Sequence, residues 1–302
     1  MVISTPERAA RAGVMLLQGS RTRTRAERAF AWLLFAGTAV ACLVLVILIV
    51  DILVDGFGRL NLSFVTSYAS RFPARTGVRA GITGTLSLMA LVTLLAFPIG
   101  VGAATYLEEF APDNRLTRLI EANINNLAGV PSVVYGLLGA GVFVYALGLG
   151  PALIAGAATL ALLVLPVIIV ASREAIRSVP TAIRDGGLAL GATPMQVIGR
   201  QILPAALPSI LTGTILGLSR AIGEAAPLLV VGAVVTRPAD NEPWRLLEAF
   251  SALPIQIFNF VSRPQAGFKI GAASAAIIVL IALLLLMSLA AILLRNRFSR
   301  RW

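Results

Sequence analysis

The sequence lacks histidine and contains one lysine and one cysteine among its 302 residues. Without histidine, neither a Ser-His catalytic pair nor a cluster of His and Cys metal ligands can form. Lys269 follows "PQAGF", so the chain has no G-x-x-x-x-G-K-[ST] phosphate-binding loop, and Cys42 has no partner for a disulfide. We therefore expect no catalytic residue, metal or cofactor here, and active transport would need energy from a partner or an ion gradient.

Charge is also scarce, since 13% of the residues are charged, 58% are hydrophobic, and the mean hydropathy is +0.89. A helix needs about 20 apolar residues to cross a bilayer, and continuous apolar runs favour helices over the alternating strands of a barrel. Six runs meet this requirement: 29–54, 85–107, 130–149, 151–171, 210–235 and 270–294. The sequence therefore predicts an all-α, polytopic membrane protein with six transmembrane helices.

Before the first apolar run stands an arginine-rich segment, residues 1–28, which we expect to be cytoplasmic. A cleaved signal peptide is the alternative interpretation of this segment and the run behind it. The run continues well past the small residues "TAVAC" at 38–42 and is too long for a signal peptide. An uncleaved membrane anchor is therefore favoured.

The basic residues indicate the orientation. With six spans, sixteen lysines and arginines fall on the side of both termini and eight on the other side. The more basic side is cytoplasmic by the positive-inside rule, which predicts cytoplasmic N and C termini. The net charge of +11 is explained by attraction to anionic lipids rather than by nucleic-acid binding.

The cytoplasmic stretch "DGGLALGATPMQVIGRQILPAALPSI", residues 185–210, is unusually rich in glycine and proline for this chain. We expect a short helix over 181–190 with Arg184 and Asp185 facing water. Gly191 suits the left-handed position after a helix end. Thr193 and Gln196 have the spacing of a capping box for a second helix.

Pro194 suits the first position of that second helix, which we expect to end near Leu203, before Pro204. Each of the two helices would be about 15 Å long, half of what a bilayer needs, so both should lie on the membrane surface. A capped helix-Gly-helix could insert into a groove of another protein, or it could be an ordinary connecting loop.

Arg220 and Glu224 lie in the fifth apolar run, four residues apart and hence on one face of a continuous helix. An arginine at the centre of a spanning helix costs about 2.5–3.5 kcal/mol on insertion scales and needs a polar partner. The pair could simply satisfy its own charges. The functional alternative, which we favour, is a substrate-pathway site, because guanidinium binds oxyanions through paired hydrogen bonds.

Asn123, Asn125 and Asn126 precede the third apolar run. Capping of a helix near the cytoplasmic interface is the interpretation we favour, and a gate lined by amide donors is the alternative. Between the last two runs, residues 236–269 form a loop whose "LPIQIF" could be a short re-entrant or surface-lying helix. A solvated loop is the other possibility for this region.

The stretch from Asp185 resembles a known family motif. Its spacing, D-G-G-x3-G-x9-Q-x-L-P, is similar to the EAA motif, E-A-A-x3-G-x9-I-x-L-P, of ABC importer permeases. It departs from that motif at Asp185, at the two glycines and at Gln201. The positions that match the motif or stand in for its residues are Asp185, Gly186, Gly187, Gly191, Leu203 and Pro204.

Three further stretches resemble the permeases of the phosphate-specific Pst importers, the A-type permease in particular: "GVPSVVYGL" at 129–137, "SRAIGEAAPLL" at 219–229 and "ALPIQIFNF" at 252–260. The similarity covers roughly residues 80–295. It implies the type I ABC importer permease fold over 80–295, with an ATPase-coupling segment at 174–208. Residues 29–79 would be the first transmembrane helix and an external loop, and 296–302 a cytoplasmic tail.

The resemblance implies a bacterial inner-membrane permease that imports inorganic phosphate and forms half of the translocation path. Its partners would be a second related permease, a dimer of ATP-binding subunits that hold the ATP, and a phosphate-binding receptor. An importer of sulfate or molybdate is one alternative, because Arg220 would serve any of these oxyanions. An ion-driven secondary transporter is a second alternative, which would predict inverted repeats and more intramembrane acids.

Overall fold

The computed structural model describes residues 25–233 and 245–298, and the chain divides into two compact units, 1–51 and 52–302. The described residues are mostly helical. We number the helices α1 Arg25–Phe57, α2 Leu62–Thr66, α3 Arg79–Glu109, α4 Arg115–Leu127, α5 Ser132–Gly139 with π-helical turns over Ala140–Ala146, α6 Leu153–Arg177, α7 Thr181–Ala189, α8 Pro194–Ile222, α9 Ala226–Val231, α10 Leu253–Ser262 and α11 Ala273–Phe298, which π-helical turns over Gly267–Ala272 precede.

Five of the helices in the described ranges are long and apolar enough to cross a membrane, and a sixth crossing is obtained if the bent pair α4 and α5 is counted as one. This confirms the prediction of an all-α protein with six transmembrane helices. The first, second and sixth predicted runs each fall inside one long helix, and the fourth agrees with α6 apart from its first residues. The third and fifth differ from the prediction in their bounds.

The third crossing is bent by 107° between Leu127 and Ser132. Pro131 causes part of this break. Proline disfavours helical backbone in the residue before it, and it has no amide hydrogen that could continue the hydrogen bonding of the preceding helix, α4. The α5 helix starts directly after this proline. Consequently α4 is an amphipathic arm before the bend, and the apolar arm begins at Ser132, two residues later than the predicted run.

The fifth crossing begins much earlier than predicted. We expected a helix that ends near Leu203, but the helix from Pro194 continues through Pro204 to Ile222, so this part of the prediction is wrong. The physical reason is a π-helical segment at Ile198–Ile202, where the Leu203 amide bonds the Ile198 carbonyl. This wider turn shifts the hydrogen bonding, and Pro204 then falls in the first turn of the following α-helical part, where its missing amide is tolerated.

The crossing also ends sooner, at Ile222 instead of 235, with Gly223 at the cap position and the short helix α9 behind it. Residues 234 and 235 lie outside the described residues. The predicted second surface helix is therefore the base of α8, and of the two only α7 remains a separate short element.

The core of the bundle lies between α3 and α6, with α8 and α11 packed around them. Small residues allow the helices to approach closely, which is how helices associate where lipid removes the usual hydrophobic driving force. A β-carbon at Gly213 would overlap Ala171 of α6, and one at Gly139 would overlap Thr159. These contacts hold α5 and α8 directly against α6.

The predicted short helix of the "LPIQIF" stretch is confirmed as α10, but it is neither surface-lying nor solvated. Leu253, Ile255 and Phe260 are fully buried, in contact with the core. The Leu253 amide donates to the Thr85 hydroxyl of α3 at 2.9 Å, which fixes the start of α10. The segment 234–244 before it lies outside the described residues.

Candidate functional site

The stretch 181–204 forms an elbow at the end of the bundle where α3 and α6 finish. Gly191, just past the end of α7, has a φ of 82°, the left-handed conformation expected for it. The capping box is confirmed, because the Gln196 amide donates to Thr193 Oγ1 at 3.3 Å and the Thr193 amide donates to Gln196 Oε1 at 2.9 Å. The two helices of the elbow are therefore joined by a defined turn rather than a loose loop.

Arg184 is partly exposed, as predicted for a residue that faces water, but it also has a partner in the bundle. Its guanidinium is bonded to the Glu109 carboxylate at the end of α3, and that carboxylate is almost fully buried. The Arg184 Nε is buried and has no hydrogen-bond partner of its own. A buried carboxylate without a cation would be costly, so this pair fixes α7 to α3.

A second group of ion pairs surrounds the first. Arg177 of α6 donates to both oxygens of Glu108, at 2.8 and 2.9 Å. Arg173, one turn earlier, contacts Glu108 at 3.4 Å and Glu121 of α4 at 2.6 Å. Paired guanidinium–carboxylate bonds of this kind fix both distance and orientation. The ends of α3 and α6 and the middle of α4 are therefore connected beneath the elbow.

Sequence reasoning missed this network. The signal available was the adjacent pair Glu108 and Glu109 at the end of the second apolar run, on the same predicted side as the arginines of the fourth loop. Residues of opposite charge at the ends of two neighbouring membrane helices, on the same side of the membrane, tend to form ion pairs. The separation of 75 residues between Glu109 and Arg184 concealed it.

Two departures from the EAA spacing meet in space. A β-carbon at Gly187 would lie 2.6 Å from Gln201 Oε1 and 2.9 Å from Val197 Cγ2, whereas one at Gly186 would meet nothing within 4 Å. Glycine at 187 and glutamine at 201 therefore fit each other. Because Gly187 has no methyl group, there is room beside it for the longer side chain of Gln201.

The outer surface of the elbow is apolar, and none of the residues that the structure describes covers it. Leu190 is 89% exposed and Met195 is 66% exposed, and the neighbouring Asp185 is also exposed. Leu203 is half-buried and Pro204 is exposed at the base of α8. Exposed large apolar side chains at the tip of a rigid, capped turn are typical of a protein–protein contact.

Arg220 and Glu224 are brought together, with Arg220 Nε 3.6 Å from Glu224 Oε1. They do not share a helical face as predicted, because α8 ends at Ile222 and Glu224 lies beyond its cap. The Arg220 side chain is 55% exposed and that of Glu224 20%. The pair therefore lies on an open face of this chain rather than in its interior.

The depth of Arg220 follows from its neighbours. A β-carbon at Gly217, one turn earlier, would lie 3.1 Å from Val164 in the middle of α6. Ser219 bonds Ser288 at 3.2 Å, near the midpoint of α11. The guanidinium therefore lies about halfway along the bundle.

The three asparagines do not begin the third span. Asn123, Asn125 and Asn126 lie near the end of α4 and are exposed. Asn123 donates to the Leu119 carbonyl of its own helix at 2.8 Å, and α4 is capped instead by Asn114, which accepts from Thr117. The expectation that they cap the third span is wrong, whereas the gate remains a hypothesis.

Residues 96–302 match the family described as the inner membrane component of binding-protein-dependent transport systems. The chain is 34% identical over 220 residues to the probable ABC transporter permease protein YqgI of Bacillus subtilis, covering 73% of this chain and 74% of YqgI. It is 32% identical over 241 residues to the probable phosphate transport system permease protein PstA of Methanocaldococcus jannaschii, covering 79% and 83% of the two chains.

Among solved structures, the fold is similar to a bacterial ABC transporter involved in the import of the acidic polysaccharide alginate. The TM-score is 0.61 at 18% identity, over 89% of this chain and 96% of the other. This likeness concerns the fold alone. The family match excludes the ion-driven secondary transporter considered above. The chain belongs to the binding-protein-dependent transport system inner membrane components, the permeases of ABC importers.

Proposed function

We propose that this chain is the permease subunit of an ATP-driven importer of inorganic phosphate and forms half of its translocation path. The observation that carries the proposal is Arg220, a half-exposed guanidinium halfway along the bundle on a face that this chain leaves open. The similarity to a probable phosphate permease over most of both chains supports the choice of substrate.

The chemistry of the pair suits a tetrahedral oxyanion. The planar guanidinium of Arg220 can donate two parallel hydrogen bonds to neighbouring phosphate oxygens. Glu224, whose Oε1 lies 3.6 Å from Arg220 Nε, forms an ion pair with the arginine when no anion is present and yields to the substrate when it arrives. An arginine in a membrane is costly without such a partner, so a reversible counter-ion keeps the empty state stable.

The elbow is where the separate ATPase would bind. Asp185 and the exposed Leu190 and Met195 lie on its outer surface, and the pairs from Arg184 to Glu109 and from Arg177 to Glu108 connect it to α3 and α6. ATP-driven closure of an ATPase dimer would displace the elbow, and the spanning helices would reorient with it. In this arrangement the ATP is held by the partner subunits.

Two further partners are proposed, a second permease and a receptor. A second related permease would cover the open face that carries Arg220 and complete the path. A phosphate-binding receptor would deliver its ligand at the opposite end, where α3 begins. We assign the elbow and both termini to the cytoplasmic side of the inner membrane, as the excess of basic residues on that side predicts.

Arg220→Gln tests this function. We expect it to abolish uptake of labelled phosphate, because the amide lacks the charge and the paired donors, while the variant still assembles with the ATPase. Arg118→Gln is the matched control, since Arg118 pairs with Asp113 on an exposed surface and should be dispensable.

Wild-type uptake by a well-expressed Arg220→Gln variant would remove Arg220 from the pathway. Competition by sulfate and molybdate in the same assay discriminates among the oxyanions. Uptake that either of these blocks more strongly than unlabelled phosphate does would show the substrate to be that anion.

A further inference from the structure

A cavity of about 550 Å³ lies at the end of the bundle opposite the elbow. Its lining consists of Ala69, Ser70, Arg71, Phe72, Arg75 and Arg263. Three of these six side chains carry guanidinium groups, and none of the six is an acid. The 31 residues of α3, roughly 45 Å of helix, separate this end from the elbow.

The three arginines have no acid as a partner in the described part of the chain. Within residues 25–233 and 245–298, no carboxylate forms an ion pair with Arg71, Arg75 or Arg263, whereas six other arginines each pair with an acid. Arg71 and Arg75 are exposed, and Arg263 is half-buried. Like charges around one concave surface focus a positive potential there, which attracts anions.

The arginine that is half-buried is held in place. Arg263 Nε donates to Asn259 Oδ1 at 3.0 Å, and its guanidinium stacks 4.4 Å from the centre of the Phe268 ring. These contacts use one edge and one face of the group. Its terminal nitrogens make no hydrogen bond within the described residues and are available to a ligand.

The loop that carries the other two arginines is also fixed. Arg59 donates to the Pro73 carbonyl, and the Ser70 amide donates to Thr76 Oγ1 at 3.1 Å. Pro73 packs so closely on Gly267 that a β-carbon there would lie 2.9 Å from it. Both sides of the cavity are therefore ordered before any ligand binds, which lowers the entropic cost of binding.

We propose that this cavity binds a phosphate-type oxyanion, either free inorganic phosphate or the headgroup of an anionic phospholipid. Guanidinium groups bind phosphate oxygens through paired, charge-assisted hydrogen bonds, and the Ser70 hydroxyl adds a further donor. The cavity is separate from Arg220, which lies halfway along the bundle. The site does not depend on the substrate proposed above.

The test uses the full-length chain in lipid nanodiscs, with Arg220→Gln as the background so that the proposed pathway site cannot contribute. Arg71→Gln/Arg75→Gln removes two charges from the cavity. The control, Arg245→Gln/Lys269→Gln, removes two charges from the same end outside the lining. One arm measures equilibrium binding of labelled inorganic phosphate in phosphatidylcholine discs, and the other counts retained phosphatidylglycerol by native mass spectrometry.

We expect the cavity variant to weaken binding about tenfold or more in one arm while the control leaves both arms unchanged. Loss in the first arm identifies free phosphate, and loss in the second identifies a lipid headgroup. Arg71→Lys/Arg75→Lys retains the charges without the paired donors and should fall between. Unchanged binding in both arms, or an equal loss in the control, overturns the proposal.

Discussion

At the scale of single residues, the geometry around Arg220 separates the role of the cation from that of its counter-ion. The guanidinium is half-exposed, whereas Glu224 is mostly covered and lies beyond the helix end. A group that only holds the arginine ready should be less important for transport than the arginine itself. Substitution of the two residues should therefore have unequal effects.

Glu224→Gln should reduce phosphate uptake less than Arg220→Gln does and should lower the half-saturating phosphate concentration. The reason is that the glutamine no longer competes with the anion for the guanidinium. Initial uptake rates over a range of phosphate concentrations measure both effects. Asp113→Asn, which removes the acid of an exposed ion pair, is the control. If Glu224→Gln abolishes uptake entirely, the carboxylate has a direct role.

The sequence predicts some residue pairs better than others. The contact between Arg220 and Glu224 could be predicted because four positions separate them, within reach along a helix. Their exposure could not, since it depends on where α8 ends and on which face α6 and α11 cover. The pair between Arg184 and Glu109 joins two distant segments, and local spacing contains no information about it.

At the scale of elements, the two adjacent glycines of α7 have opposite environments. A β-carbon at Gly186 has open space, so Gly186→Ala should stabilise the helix by about 0.5–1 kcal/mol through its propensity alone. In Gly187→Ala, the new methyl group would clash with Gln201 and Val197, so this substitution should destabilise the chain. Thermal unfolding of the detergent-solubilised variants, compared in one buffer, measures both signs.

A double-mutant cycle isolates the contact. Gln201→Ala removes the side chain that a new β-carbon would meet first, at 2.6 Å. The combination Gly187→Ala/Gln201→Ala should therefore be more stable than the sum of the two single effects predicts. Strict additivity would show that Gly187 and Gln201 do not depend on each other.

Local signals predict the ends of elements better than their continuity. The left-handed Gly191 and the Thr193–Gln196 box were predictable because each depends on residues within a few positions of one another. The continuation of α8 through Pro204 was not, because proline after an apolar run normally ends a helix. The π-helical segment that permits it has no reliable sequence signal.

At the scale of the whole molecule, the elbow should bind the ATPase through its apolar tip. Leu190 is 89% exposed, and a charge there would be buried without a partner in the complex. Leu190→Glu should therefore weaken co-purification with the ATPase about tenfold or more, and it should leave the thermal stability of the permease itself unchanged.

Leu62→Glu is the matched control, because Leu62 is 80% exposed at the opposite end of the bundle. It should co-purify with the ATPase as the wild type does. Equal binding by both variants would place the ATPase contact elsewhere, and equal loss would indicate a general defect in assembly.

Composition predicted the architecture but not its irregularities. Runs of apolar residues predict spanning helices because the bilayer requires the backbone to satisfy its own hydrogen bonds. The bend of 107° between α4 and α5 could not be predicted in this way, since a broken helix pair and a single helix have similar hydropathy. The hydrogen bond from Tyr135 to the Leu127 carbonyl, at 2.8 Å, connects the two arms.

This bend leaves the third crossing short. The part after the break, Ser132–Ala146, is roughly 20 Å long, against a hydrocarbon thickness of about 30 Å. Such a mismatch is relieved by thinning of the lipid or by water that penetrates beside the helix. Either change lowers the dielectric barrier to an ion next to α5, where a β-carbon at Gly136 would lie 2.8 Å from Pro227, three residues past Glu224.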